Sequence, residues 1–90
     1  MAWTIEYAES VQKPISKLDP QTRQKIRSLL EDKFARLDDP RSQGRALTGT
    51  LRGLWRYRMG DYRIICDIID RRLVVLVLKV DHRSSVYHDR

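Results

Sequence analysis

The sequence predicts an α+β domain of order β-α-α-β-β-β, with two N-terminal helices packed on a twisted antiparallel sheet. Apolar residues recur at helical spacing through residues 11–37, then at a period of two beyond residue 54. Asp38-Asp39-Pro40 marks the changeover, because proline cannot continue a helix. A chain of 90 residues can build one small core, so residues 1–90 read as a single domain.

Trp3-Thr4-Ile5-Glu6-Tyr7 alternates apolar and polar residues, which predicts the first strand. Val11, Ile15 and Leu18 follow at helical spacing, with Ser10 as the N-cap and Pro14 near the first turn, where a missing amide costs little. Asp19-Pro20 restarts the pattern with a cap and a proline at the first helical position. Ile26, Leu29, Leu30, Phe34 and Leu37 share one face of a second helix, while Arg23, Lys25, Arg27, Lys33 and Arg36 mostly face water. A polar loop runs through Gly44. Residues 54–59 form a strand, Gly60-Asp61 a tight turn, and residues 62–69 the next strand. Asp70-Arg71-Arg72 turns the chain into residues 73–80, a strand apolar enough to lie inside the sheet.

At 41% hydrophobic and 33% charged, the composition excludes a disordered or membrane-embedded chain. Residues 1–40 hold seven basic and seven acidic side chains; residues 41–90 hold eleven and five, so the second part carries the whole +6. Between Arg41 and Arg63 six arginines face a single carboxylate, Asp61. A one-sided field of that kind suits a polyanion. Thirteen of the eighteen basic residues are Arg, a bias that favours bidentate phosphate contact or reflects a GC-rich genome; only the first explains the clustering. Cys66, flanked by Ile64, Ile65, Ile68 and Ile69, reads as a buried strand residue without a disulfide or metal partner. Trp3, Glu6 and Glu9 interrupt any signal peptide, and no apolar run spans a membrane, so the expected compartment is the cytoplasm.

Alternation puts Arg56 and Arg58 on one side of their strand, opposite Trp55, Tyr57 and Met59, and Arg63 can join them from the neighbouring strand. Converging guanidiniums repel one another unless an anion resolves them; three independently solvated arginines would have the same spacing. Beyond the last strand come His82, Arg83 and Tyr87. Metal-free phosphodiester cleavage needs a base for the attacking hydroxyl, cationic donors around the phosphate and an acid for the leaving oxygen. His82 supplies an imidazole, the side chain that titrates near neutrality when unperturbed, Arg83 can bridge a phosphate, and Tyr87 can stack on a base or donate a proton. Asp67, Asp70 and Asp81 are too scattered to pair two metal ions, so neither a metal nor a cofactor is expected.

The layout, the hairpin Gly60-Asp61-Tyr62-Arg63-Ile64-Ile65 and the ending His82-Arg83-Ser84-Ser85-Val86-Tyr87 resemble the RelE/ParE superfamily of bacterial toxins, the ending pointing to its RelE branch. That resemblance implies a type II toxin that cleaves mRNA in the ribosomal A site by attack of the ribose 2′-OH, leaving a cyclic phosphate. It also implies a RelB-like antitoxin, and operator DNA bound only by the toxin–antitoxin complex. By the same resemblance Arg52, Arg56 and Arg58 bind RNA, Arg63 binds the phosphate, Arg83 stabilises the transition state or protonates the leaving group, and Tyr87 stacks on or orients the substrate. The best-known RelE proteins carry lysines where Arg56 and Arg58 stand. Arginines are poor bases, which leaves His82, at about 6.5 when unperturbed, as the expected general base with Tyr87 second. Two other readings share the fold: a ParE-like inhibitor that binds DNA gyrase without catalysis, and an inactive relative that serves only as antitoxin partner or DNA-binding co-repressor.

Overall fold

Residues 2–82 are described by a computed structural model. Strand β1 (Thr4–Tyr7) leads into α1 (Glu9–Ser16), and α2 begins at Pro20–Arg27. The Asp19 side chain caps α2 by accepting from the Thr22 amide at 3.2 Å, with Pro20 at the first helical position as expected. The same rod continues as a π-helical stretch, Ser28–Lys33, and a 3₁₀ turn, Phe34–Arg36. Helical spacing does not distinguish these from α-helix, because every turn still presents Ile26, Leu30 and Phe34 to the core.

The start of α1 differs from expectation. Ala8 occupies the N-cap, and the Ser10 hydroxyl instead donates to the Leu78 carbonyl at 3.2 Å, tying the helix to the sheet. Pro14 therefore falls inside the helix rather than in its first turn.

The sheet holds β1, β2 (Arg45–Ala46), β3 (Trp55–Met59), β4 (Tyr62–Ile69) and β5 (Val74–His82), in the order β1-β5-β4-β3-β2. It is mixed rather than wholly antiparallel: β1 runs parallel to β5, with Thr4 opposite Val74. Successive strands joined by tight turns must be antiparallel, but β1 and β5 are joined by the whole intervening chain and are free of that constraint. The expected interior position of the strand over residues 73–80 holds, since β5 lies between β1 and β4.

Gly60 takes a φ of 58° at the first position of the two-residue turn between β3 and β4, a conformation glycine adopts freely. In β5 the register skips Leu78, between the pairs Ile65–Lys79 and Cys66–Val77. This bulge shifts the alternation, so that Val77 and Val80 both turn toward the helices.

Val11, Ile15, Ile26, Leu30 and Phe34 from the helical layer meet Tyr57, Ile64, Cys66, Ile68, Val75 and Val77 from the sheet. Burying each large aliphatic side chain contributes about 1.5–3 kcal/mol, and the Phe34 and Tyr57 rings sit 4.4 Å apart at the centre. The helices cover the inner face of the sheet, and on its other face Arg45 and Arg58 are exposed.

Candidate functional site

Tyr57 is fully buried on the helix side, so its β3 neighbours Arg56 and Arg58 project to the open face. Residues directly opposite in an antiparallel pair share a face. Arg45 on β2 stands opposite Arg56, and Arg63 on β4 stands opposite Arg58. The structure thus brings together Arg56, Arg58 and Arg63, and adds Arg45, which sequence reasoning did not single out. A two-residue strand is too short to show a period, so nothing in the sequence announces β2.

Several arginines elsewhere have carboxylate partners. Arg41 forks onto Asp70 at 2.6 and 3.1 Å and reaches Asp39 at 3.2 Å, and Arg72 meets Glu6 at 3.2 Å. Among the described residues, no carboxylate lies within ion-pairing distance of Arg45, Arg56, Arg58 or Arg63. Asp81, opposite Arg63 across β4 and β5, is paired with Lys79 at 3.3 Å. Arg56 is the most confined of the four: its Nε is buried and has no hydrogen-bond partner. Burial first, then repulsion from Arg58, Arg45 and Arg63, pulls its guanidinium below the ordinary arginine value. An arginine in that range still carries its charge at neutral pH.

A cavity of about 300 Å³ opens beside this cluster, lined by Gln43, Gly44, Arg45, Arg56 and Arg58. Its outer wall is the loop before β2, and Tyr57 holds that loop from below. The Tyr57 hydroxyl donates to the Pro40 carbonyl at 2.8 Å. A Cβ at position 44 would come within 2.9 Å of the Tyr57 ring, so only glycine lets the loop lie this close. An inward-facing core residue thereby shapes a site on the outward face.

His82 is not part of this face. It stands opposite Tyr62, which stands opposite Met59, and Met59 packs against the core; the three share the helix side. The His82 ring meets Tyr62 edge-on, with centroids 4.9 Å apart, and lines a separate cavity with Thr22, Lys25, Met59 and the hairpin turn. Arg52 lies exposed in the loop between β2 and β3, at the end of β3 away from Arg63, and lines neither cavity. Arg83 and Tyr87 lie outside the described residues. Among the described residues no cluster of His, Cys, Asp or Glu could hold a metal ion, and no helix is long and apolar enough to cross a membrane.

Fold and face together define a class: small α+β proteins whose mixed sheet is backed by two helices and carries arginines on its open side. The chain belongs to the ParE toxin family of type II toxin–antitoxin systems, within the RelE/ParE superfamily; it matches the family described as "ParE toxin of type II toxin-antitoxin system, parDE" over residues 5–87. It is 30% identical to toxin RelG of Mycobacterium tuberculosis over 88 residues, 97% of this chain and 98% of that protein. Its fold is similar to a chain of the toxin–antitoxin complex RelBE2 from the same organism, with a TM-score of 0.84 at 26% identity, covering 93% of this chain and 94% of that one. The archaeal RelE–RelB complex from Pyrococcus horikoshii matches with a TM-score of 0.70 at 25% identity, covering 92% of this chain and 97% of that one.

Proposed function

We propose that this toxin is a metal-independent, ribosome-dependent endoribonuclease that cleaves mRNA in the A site and so inhibits translation. The observation that carries the reading is the convergence of Arg56, Arg58 and Arg63, with Arg45, on one face where, among the described residues, no carboxylate pairs with any of the four. Such a face binds phosphates without distinguishing sequence. Attack of the ribose 2′-OH on its own 3′ phosphate breaks the bond to the next nucleoside's 5′ oxygen and leaves a cyclic phosphate. The pentacoordinate transition state gains negative charge, which Arg63 and Arg83 stabilise while Arg52, Arg56 and Arg58 hold the flanking backbone.

The base must take a proton on the arginine side. His82 faces the helices, so the geometry weighs against it, and the role passes to Tyr87. A tyrosine can act as a base where nearby positive charge favours its ionised form.

The antitoxin is a RelB-like chain. The solved complexes of similar RelE toxins support this, as does the +6 charge, which invites an acidic partner. Operator DNA is bound only by the toxin–antitoxin pair. The toxin acts in the cytoplasm, where ribosomes are.

A single deoxynucleotide placed 5′ of the scissile phosphate in an A-site codon tests the chemistry. Cleavage should stop while binding persists, because every phosphate remains; cleavage of the deoxy-substituted message defeats the mechanism. The ParE description of the matching family favours a second reading, a gyrase inhibitor acting by protein contact. Pulse labelling after induction separates the two: protein synthesis falls first under the nuclease reading, and DNA synthesis under the other.

A further inference from the structure

We infer that the cavity between β2 and β3 is a second phosphate subsite, in which Arg45, Arg56 and Gln43 hold a backbone phosphate of the bound RNA away from the one that is cleaved. The inference rests on the nuclease reading, and it assigns a role to Gln43 and Arg45, whose positions only the folded loop reveals. The cavity, at about 300 Å³, has room for a phosphate group and part of its sugar. Its lining supplies guanidiniums from two strands, held opposite each other by the Arg45–Arg56 pairing. Gln43 adds an amide donor, and Gly44 completes the rim.

The cluster also lacks what a purely structural arrangement would supply. Arg56 Nε is buried without a partner, and a buried donor left unsatisfied is a cost that folded proteins normally avoid. Arg45 and Arg56 are like charges placed directly opposite, which destabilises a sheet. An anion between the two guanidiniums offsets this repulsion. A phosphate suits the site better than a carboxylate, because its tetrahedral oxygens can accept from guanidiniums on both strands at once.

The cavity also has a direction. The Gly60–Asp61 turn, with Arg63 beside it, closes one end of the β3–β4 hairpin, whereas Arg45 and Gln43 lie toward the sheet edge formed by β2. A strand of RNA crossing from Arg63 to Arg45 follows the rows of arginines across the sheet. The subsite thus serves to hold one end of the substrate rather than to react.

The test uses purified toxin and ribosomes programmed with an mRNA made uncleavable by one deoxynucleotide in the A-site codon, prepared as a series with a single uncharged methylphosphonate at each linkage in turn. Arg45→Ala should weaken binding about three- to tenfold, the size of one charge-assisted contact. It should also flatten the slope of log affinity against log salt by roughly 0.7, the loss of one phosphate contact on a single strand. One linkage, distinct from the cleaved one, should become insensitive to methylphosphonate in this variant. Arg45 is exposed, so folding is not at risk. If Arg45→Ala changes none of these while Arg58→Ala weakens binding, the subsite is wrong and the RNA-binding face stands. If neither variant changes binding, the nuclease reading itself fails. Loss of antitoxin affinity in Arg45→Ala with RNA binding intact overturns the inference and gives the cavity to a carboxylate.

Discussion

Arg58 and Arg63 stand directly opposite each other across the β3–β4 hairpin, one residue inside the pair that closes its turn. Like charges so placed are destabilising by roughly 0.2–1 kcal/mol. Arg58→Gln should therefore stabilise the fold by about that amount while weakening RNA binding and toxicity. Thermal unfolding of the two proteins checks the first part, and the difference between them should shrink as salt screens the repulsion. An Arg58→Gln protein that is less stable than the parent at low salt contradicts the idea that this face holds unresolved charge.

Gly44 is required for space rather than for backbone freedom, since its φ of −116° is open to any residue. Gly44→Ala forces a methyl group against the buried Tyr57 ring, which also packs on Phe34. Overpacking of this kind costs about 1–3 kcal/mol. Tyr57→Phe keeps the ring but leaves the Pro40 carbonyl without its donor, a loss of the order of 1–3 kcal/mol if water cannot replace it. Denaturant titration measures both. Because the same contacts wall the arginine cavity, each variant should also weaken RNA binding by more than its folded fraction accounts for. Retention of full affinity would show that the loop's position is immaterial to the site.

Much of this architecture was legible because local chemistry and tertiary packing agree. Asp19-Pro20 caps and starts α2, Gly60-Asp61 makes the turn, and the alternation around Tyr57 sorts Arg56 and Arg58 outward, as the spacing predicted. What escaped depends on partners distant in the chain. The parallel pairing of β1 with β5 has no local signal, and β2 is too short to have one. Ser10 has the chemistry of a cap, but Leu78 offers its carbonyl at 3.2 Å and takes the hydroxyl. His82 belongs to the same class. The sequence reading ends the strand at Val80, whereas β5 runs on through His82, whose face follows from its registration with Tyr62.

Cys66 makes stability sensitive to alkali. Burial first, with a smaller contribution from Asp67, pushes its thiol from 9.0 up to about 12. A group whose folded value is raised contributes stability fully below its unfolded value and loses it as pH rises toward the folded one. Stability should fall across the window from 9 to about 12, and burial of Tyr7 and Tyr57, which raises both phenols, pushes in the same direction at higher pH. Cys66→Ala should flatten the first part of that fall in denaturant titrations at successive pH values. The thiol of the native protein should also resist aromatic disulfide reagents until the chain unfolds, and rapid labelling under native conditions would count against its burial.

On the acid side the relevant pair is Arg41 and Asp70, which joins the loop before β2 to the turn before β5. The hydrogen bonds from Arg41 hold the Asp70 carboxyl below its usual 3.8. The sign is opposite to that of Cys66: the contribution is present above 3.8 and disappears as pH falls through the depressed folded value. Asp70→Asn should lose stability at neutral pH and show a shallower decline in acid than the parent. Identical acid profiles for the two proteins would mean that the pair contributes nothing, as exposed ion pairs often do. Arg41 also lies over the Trp55 ring at 5.8 Å, so Arg41→Ala should cost more than Asp70→Asn.

The remaining prediction concerns where the proton goes. The His82 imidazole meets Tyr62 on the helix side of the sheet, while Arg58 and Arg63 lie on the other side. A base on one face cannot take a proton from a hydroxyl held against the opposite face, since hydrogen-bond reach is about 3 Å. His82→Gln should therefore leave single-turnover cleavage of ribosome-bound mRNA within a fewfold of the parent. The rate should keep rising with pH through the 6–7 region in both proteins, with no inflection there to lose. Tyr87→Phe should slow the step by roughly 10²–10⁴-fold, the range for loss of a general base, and flatten the profile above neutrality. If instead His82→Gln abolishes an inflection near 6 to 7 and Tyr87→Phe cleaves normally, the imidazole is the base after all. The end of β5 must then rearrange on the ribosome to bring it across the sheet.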